Sequence, residues 1–160
     1  MKNYSNQTVE FYTIVVHTVH TCILAPIQVK WNPPPMGWFK LNTYGSSVEN
    51  PNKVGGGLIR NSNGVWIDGF AWSIGKATSV LTELLAFRDG LRLVVSLGLN
   101  SVIIDLDTLS VVSFLNNSVN IHPYFFPLMD DCRSLLWRIP HYLIQHVFRE
   151  ANRSVDTLAA

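Results

Sequence analysis

The sequence predicts an α/β domain with one mixed sheet, and three observations carry that prediction. Two short apolar stretches flank Asn61-Ser62-Asn63-Gly64, whose Asn-Gly pair accepts the positive φ angles of a tight hairpin turn. A long amphipathic stretch from Thr78 to Leu97 ends at Gly98, as a capped helix does. The apolar run Ser101 to Leu106 follows that helix at once, the pattern of a central, parallel strand buried on both faces. At 160 residues the chain is long enough to bury about two-thirds of its unfolded surface without a disulfide or metal staple.

Strands are expected over Phe39 to Thr43, Val54 to Arg60, Val65 to Ile74, from Ser101, and over Tyr142 to Val147. Gly55, Gly56 and Gly57 open the second of these. Glycine weakens a strand, so the run predicts a bulge, a close approach by another part of the chain, or a loop without a role. In the helix capped by Thr78 or Ser79, Leu84, Phe87, Leu91 and Val94 share one face, and Arg88, Asp89, Arg92 and Ser96 the other. Further helices are expected over Leu109 to Leu115, Leu128 to Arg138 and Arg149 to Ala160.

Composition narrows the function classes. Twelve basic residues stand against eleven acidic ones, which argues against the basic stripe of a dedicated nucleic-acid binder and leaves only local, weak binding. A hydrophobic content of 48% marks an ordered chain. Cys22 and Cys132 fit no metal-ligand spacing and no disulfide framework.

Residues 1–30 read as a β-prone extension or the remnant of a longer polypeptide. Their apolar part carries His17, His20 and Gln28 and breaks at Pro26, and the sole basic side chain ahead of it is Lys2. That fits neither a secretory leader nor a membrane span. An intracellular monomer, nuclear or cytoplasmic and not secreted, is expected. Pro33-Pro34-Pro35 form a stiff hinge, so the folded domain is placed at residues 31–160.

Three acids stand out. Glu83 falls on the apolar face of its helix, where an unpaired charge is costly and wants a partner or a metal; the plain alternative is complementing the helix dipole. Asp105 and Asp107 lie at the carboxyl end of the predicted central strand and, two apart, point to one side, where α/β sheets collect ligands. Asp107 reads equally well as the N-cap of the following helix. Asp156 shares a face with Asn152 at i, i+4 in the terminal segment, a position more often solvated than functional.

Taken in order, several blocks resemble the ribonuclease H type 1 domain. They are Trp31-x-Pro-Pro-Pro-x-Gly-Trp-x-Lys-Leu-Asn-Thr-x-Gly-Ser, Gly-Gly-Gly-x-Ile-Arg-Asn, Thr-Glu-Leu-Leu-Ala, Asp-x-Asp-Thr and His146-x-x-Arg149-Glu150-Ala151-Asn152-x-x-x-Asp156. More narrowly, the sequence is similar to the plant branch found alone or at the end of non-LTR retrotransposon reverse transcriptases. The resemblance implies a five-stranded mixed sheet, first three strands antiparallel, flanked by helices. It implies hydrolysis of the RNA strand of an RNA–DNA hybrid with two Mg²⁺ (or Mn²⁺) ions, held by four carboxylates.

Carried over, three of those acids are Glu83, Asp107 and Asp156, and the first falls on Tyr44. A phenol is neutral at pH 7 and offers one oxygen where the family has a carboxylate touching both metals. Hydrolysis is therefore expected to be weak or absent, with Asp105, Glu49 and Asp68 as nearby substitutes to test. Gly45, Ser46, Thr78 and Thr108 are the expected nucleic-acid contacts. Asn116 to Leu128, where some relatives carry a basic protrusion, holds no Lys or Arg. His146 matches the family's mobile-loop histidine or else ends the final strand. The alternative to an impaired hybrid nuclease is a non-catalytic module of the same fold that binds nucleic acid or protein.

Overall fold

The computed structural model describes residues 12–13, 31–46, 53–117 and 119–149. Its strands are β1 (Tyr12–Thr13), β2 (Phe39–Gly45), β3 (Lys53–Arg60), β4 (Trp66–Gly75), β5 (Ser101–Leu106) and β6 (His141–Val147). Its helices are α1 (Ser79–Ser96), α2 (Leu109–Leu115) and α3 (Phe126–Leu136), with a 3₁₀ turn at Pro123–Phe125. The sheet order is β1-β6-β5-β2-β3-β4. Strands β2, β3 and β4 are antiparallel neighbours, β5 runs parallel to β2, and β6 parallel to β5. Strands β2 to β6 are the five expected. The sixth is the pair Tyr12–Thr13, set antiparallel against Val147 and His146, so the β-prone extension contributes to the sheet.

The hairpin differs in detail from its expectation. Gly64 has φ +75° and Asn63 keeps a negative φ, so one residue turns left-handed and not both. The Asn61 side chain explains this, because its Oδ1 accepts from the backbone N–H groups of Asn63 and Val65 and holds the turn open by one residue.

Helix α1 begins at Thr78, whose hydroxyl accepts from the Leu81 N–H, and ends in a Schellman arrangement. Gly98 (φ +65°) donates to the Val95 carbonyl and Leu99 to that of Val94. Its apolar face, Leu84, Phe87, Leu91 and Val94, is fully buried against Leu41, Ile59, Val102 and Ile104. A Cβ on Gly90 would stand 2.9 Å from the side chains of Leu41 and Thr43, so this glycine lets the helix lie tight on β2. Leu106, Val111, Met129, Cys132, Leu136 and Ile139 complete the core. Burial pushes the Cys132 thiol up to about 12, which leaves it inert as a nucleophile.

The glycine run of β3 is explained by close approach and not by a bulge, the register shifts falling at Lys53/Val54 and Ile59/Arg60. Side chains on Gly55 and Gly57 would collide with the rings of Trp72 and Phe70, and one on Gly56 with the phenol of Tyr44. Each glycine seats an aromatic ring from a neighbouring strand.

Candidate functional site

Strand alternation splits β2 between two faces. Leu41 and Thr43 touch Gly90 of α1, and Gly45 abuts α1 at Glu83, where an added Cβ would lie 2.7 Å from both the backbone nitrogen and Cγ of Glu83. Lys40, Asn42 and Tyr44 alternate with these and point to the other face. Tyr44 pairs with Gly56 and its ring lies over that glycine.

The same far face carries a buried ionic cluster. Lys40 Nζ lies 3.2 Å from Asp105 Oδ2 with both side chains almost fully buried. The Asn42 amide donates to the same oxygen at 3.3 Å, and Arg60 donates to Asn42 Oδ1 at 3.5 Å. Trp31 covers the Arg60 guanidinium at 4.0 Å from the ring centroid. Burial pushes the Asp105 carboxyl up, while Lys40 and Asn42 pull it down. Asp105, raised in the sequence analysis as a substitute near Tyr44, is thus engaged with Lys40 and Asn42. Asp68 sits in β4 opposite Ile59 and accepts from the Gly69 N–H at 2.7 Å, so it is held on a strand that does not adjoin β2. Glu49 lies outside the described residues.

Glu83 and Asp107 do come together. β5 runs beside β2 with Thr43 opposite Leu106, which carries Asp107 to the level of Tyr44 one residue beyond the strand. Thr108, not Asp107, is the N-cap of α2, its oxygen accepting from the Ser110 N–H at 3.2 Å. Its hydroxyl also donates to the Glu83 carboxylate. Burial holds the Glu83 carboxyl above its ordinary range, opposed by the Thr108 hydrogen bond; the Asp107 charge raises it further, and Arg149 and Lys53 lower it.

His146 lies within β6, opposite Leu106 on one side and Thr13 on the other, so it is a strand residue and not a loop one. Burial lowers its pKa, and its ring N–H donates to the Asp107 carbonyl. Of the expected nucleic-acid contacts, Gly45 is buried and the Ser46 N–H is used on the Val54 carbonyl at 2.8 Å. Thr78 is exposed, and Thr108 is half-buried beside Glu83. Asp156 lies outside the described residues. Among the described residues no three His, Cys, Asp or Glu side chains converge as a metal-binding group.

Lys53 escaped the sequence reading. Its approach to Glu83 depends on the β2–β3 register, and nothing local in the sequence signals it. The engagement of Asp105 had a faint signal, since Asp105 lies in the run expected to be buried on both faces, where a carboxylate needs a partner.

This architecture is the ribonuclease H fold. The ribonuclease H1 of Halobacterium salinarum superposes with a TM-score of 0.68 at 22% identity, over 76% of this chain and 94% of that one. The N-terminal ribonuclease H domain of a Mycobacterium tuberculosis protein gives 0.69 at 22% identity, over 76% and 95%. LC11-RNase H1, solved in complex with an RNA/DNA hybrid, gives 0.66 at 20% identity, over 75% and 92%. The chain belongs to the reverse transcriptase-like family, whose profile matches residues 42–160. An Arabidopsis thaliana protein whose name assigns it provisionally to ribonuclease H is 35% identical over 134 residues, 82% of this chain. The match spans 22% of that relative's length.

Proposed function

We propose that residues 31–160 form a hybrid-binding domain of ribonuclease H type whose hydrolysis of the RNA strand is weak or lost. The observation that carries this reading is the seating of Tyr44 on Gly56. A neutral phenol packed against a strand offers neither the charge nor the second oxygen of a bridging carboxylate. The remaining acids, Glu83 and Asp107, with Asp156 added by resemblance, do not fit a pair of divalent ions. Glu83 is partly desolvated and already faces Lys53 and Arg149.

Hybrid binding is supported by the family and by the RNA/DNA-bound state of LC11-RNase H1. In this chain the exposed Thr78 and the half-exposed Ser46 side chain would meet the ribose and phosphate edge, hydroxyls being among the partners that distinguish RNA by its 2′-OH. A protein-binding module is the second reading, favoured by the exposed Tyr124 and Phe126 in a segment without Lys or Arg.

The test is cleavage of a labelled RNA–DNA hybrid in Mg²⁺ by the natural protein and by Tyr44→Asp, with hybrid affinity measured alongside. Binding by both, with cleavage by the variant alone, is the expected result. Equal cleavage by both would overturn the impairment, and absence of hybrid affinity would favour the protein-binding reading.

A further inference from the structure

Lys53 begins β3 and is buried, with 9% of its surface exposed. Lys53, Gly55 and Gly57 alternate onto one face of the strand, and it is the face that carries α1: the Trp72 ring over Gly55 donates to Asp89 of α1 at 3.1 Å. Gly55 pairs with Gly45, and Gly45 abuts Glu83. Lys53 is thereby delivered to the Glu83 end of α1, where Asp107, Thr108 and Arg149 converge.

Two carboxylates drawn together in a partly desolvated niche repel each other, and a buried ammonium is costly without an anion. In two-metal hydrolases divalent cations offset that repulsion. Here the register of β3 brings a covalently attached cation to the same end of α1, near enough for its charge to act on Glu83.

We propose that Lys53 is an internal counter-cation whose ammonium balances the Glu83–Asp107 pair, so that the acidic niche is complete without a divalent ion. This rests on reading the Tyr44 site as unfit for two metals. Its ligand consequence is specific: the natural protein has no saturable Mg²⁺ or Mn²⁺ site at these acids, and loss of the lysine charge creates a demand for one. Arg149, just after β6, acts on Glu83 more strongly than Lys53 does, and Lys53 adds a second positive charge from β3 on the other side of β5 and β2.

The test is thermal denaturation of the full chain in EDTA, Mg²⁺ or Mn²⁺ at matched ionic strength, for the natural protein, Lys53→Met and Lys53→Arg. The natural protein and Lys53→Arg should melt at the same temperature with and without metal. Lys53→Met should melt several degrees lower in EDTA and recover with Mn²⁺, as a ligand that binds only the folded state requires. A saturable rise with Mn²⁺ in the natural protein would overturn the proposal, as would a Lys53→Met that is neither destabilised nor metal-responsive. Should Lys53→Met fail to fold, calorimetric titration of the natural protein with Mn²⁺ decides: no saturable heat supports the proposal and saturable binding refutes it. Hybrid affinity is measured separately, so its absence would sink the functional reading without touching the metal result.

Discussion

Lys40 and Asp105 form an ion pair at 3.2 Å between adjacent parallel strands, with both side chains out of solvent. Removing one partner leaves the other charged and buried, while removing both exchanges two desolvation costs for apolar packing. Lys40→Met and Asp105→Leu should each cost about 3–5 kcal/mol in urea denaturation, and the double variant should recover most of that loss. Additive losses would show that the two side chains act independently.

Trp31 makes a second, separable contribution. It is 4% exposed, stacks on the Arg60 guanidinium and packs beside Gly64 in the hairpin turn. Trp31→Ala should cost about 3–5 kcal/mol, and Trp31→Phe, which keeps an aromatic face over the cation, markedly less. A urea midpoint for Trp31→Ala equal to that of the natural chain would remove the residue from the folded core.

Gly45 has no room to grow. A methyl there would stand 2.7 Å from the Glu83 backbone nitrogen as well as its side chain. Gly45→Ala should destabilise by about 1–3 kcal/mol. Adding Glu83→Ala should not restore the melting temperature, because the backbone contact persists; full rescue would locate the clash in the side chain alone.

The Glu83 carboxyl titrates above its ordinary 4.5, chiefly because it is desolvated. Between that value and its folded-state value the folded chain binds the proton more tightly than the unfolded chain. The resulting stability is full below 4.5 and is lost as pH rises through the folded value. Glu83→Gln lacks this term. Its stability relative to the natural protein should therefore climb as pH rises toward neutrality and level off below 4.5, when urea midpoints are followed across the range. A difference independent of pH would contradict the assignment.

Local chemistry made most of the fold legible. The Thr78 cap, the Gly98 stop and the Asn61–Gly64 turn reflect contacts within a few residues, and the apolar stripe of α1 shows in its helical periodicity. What escaped depended on strand register. Tyr44 is set over Gly56, Asp105 is drawn to Lys40, and Lys53 is carried to Glu83 by pairings that span tens of residues. At Thr108 the residue type pointed to a polar contact, and only the strand end showed that its oxygen both caps α2 and serves Glu83.

The ring on Gly56 also bears on how the present sequence could change. Tyr44→Asp does not merely exchange one polar group for another, since it uncovers a glycine backbone that the phenol now shields. A carboxylate placed there would enter a slot shaped for an aromatic plane and would leave Gly56 without the ring that now packs on it. Position 44 is in that sense tied to position 56: an acid at 44 is expected to cost stability unless position 56 changes as well.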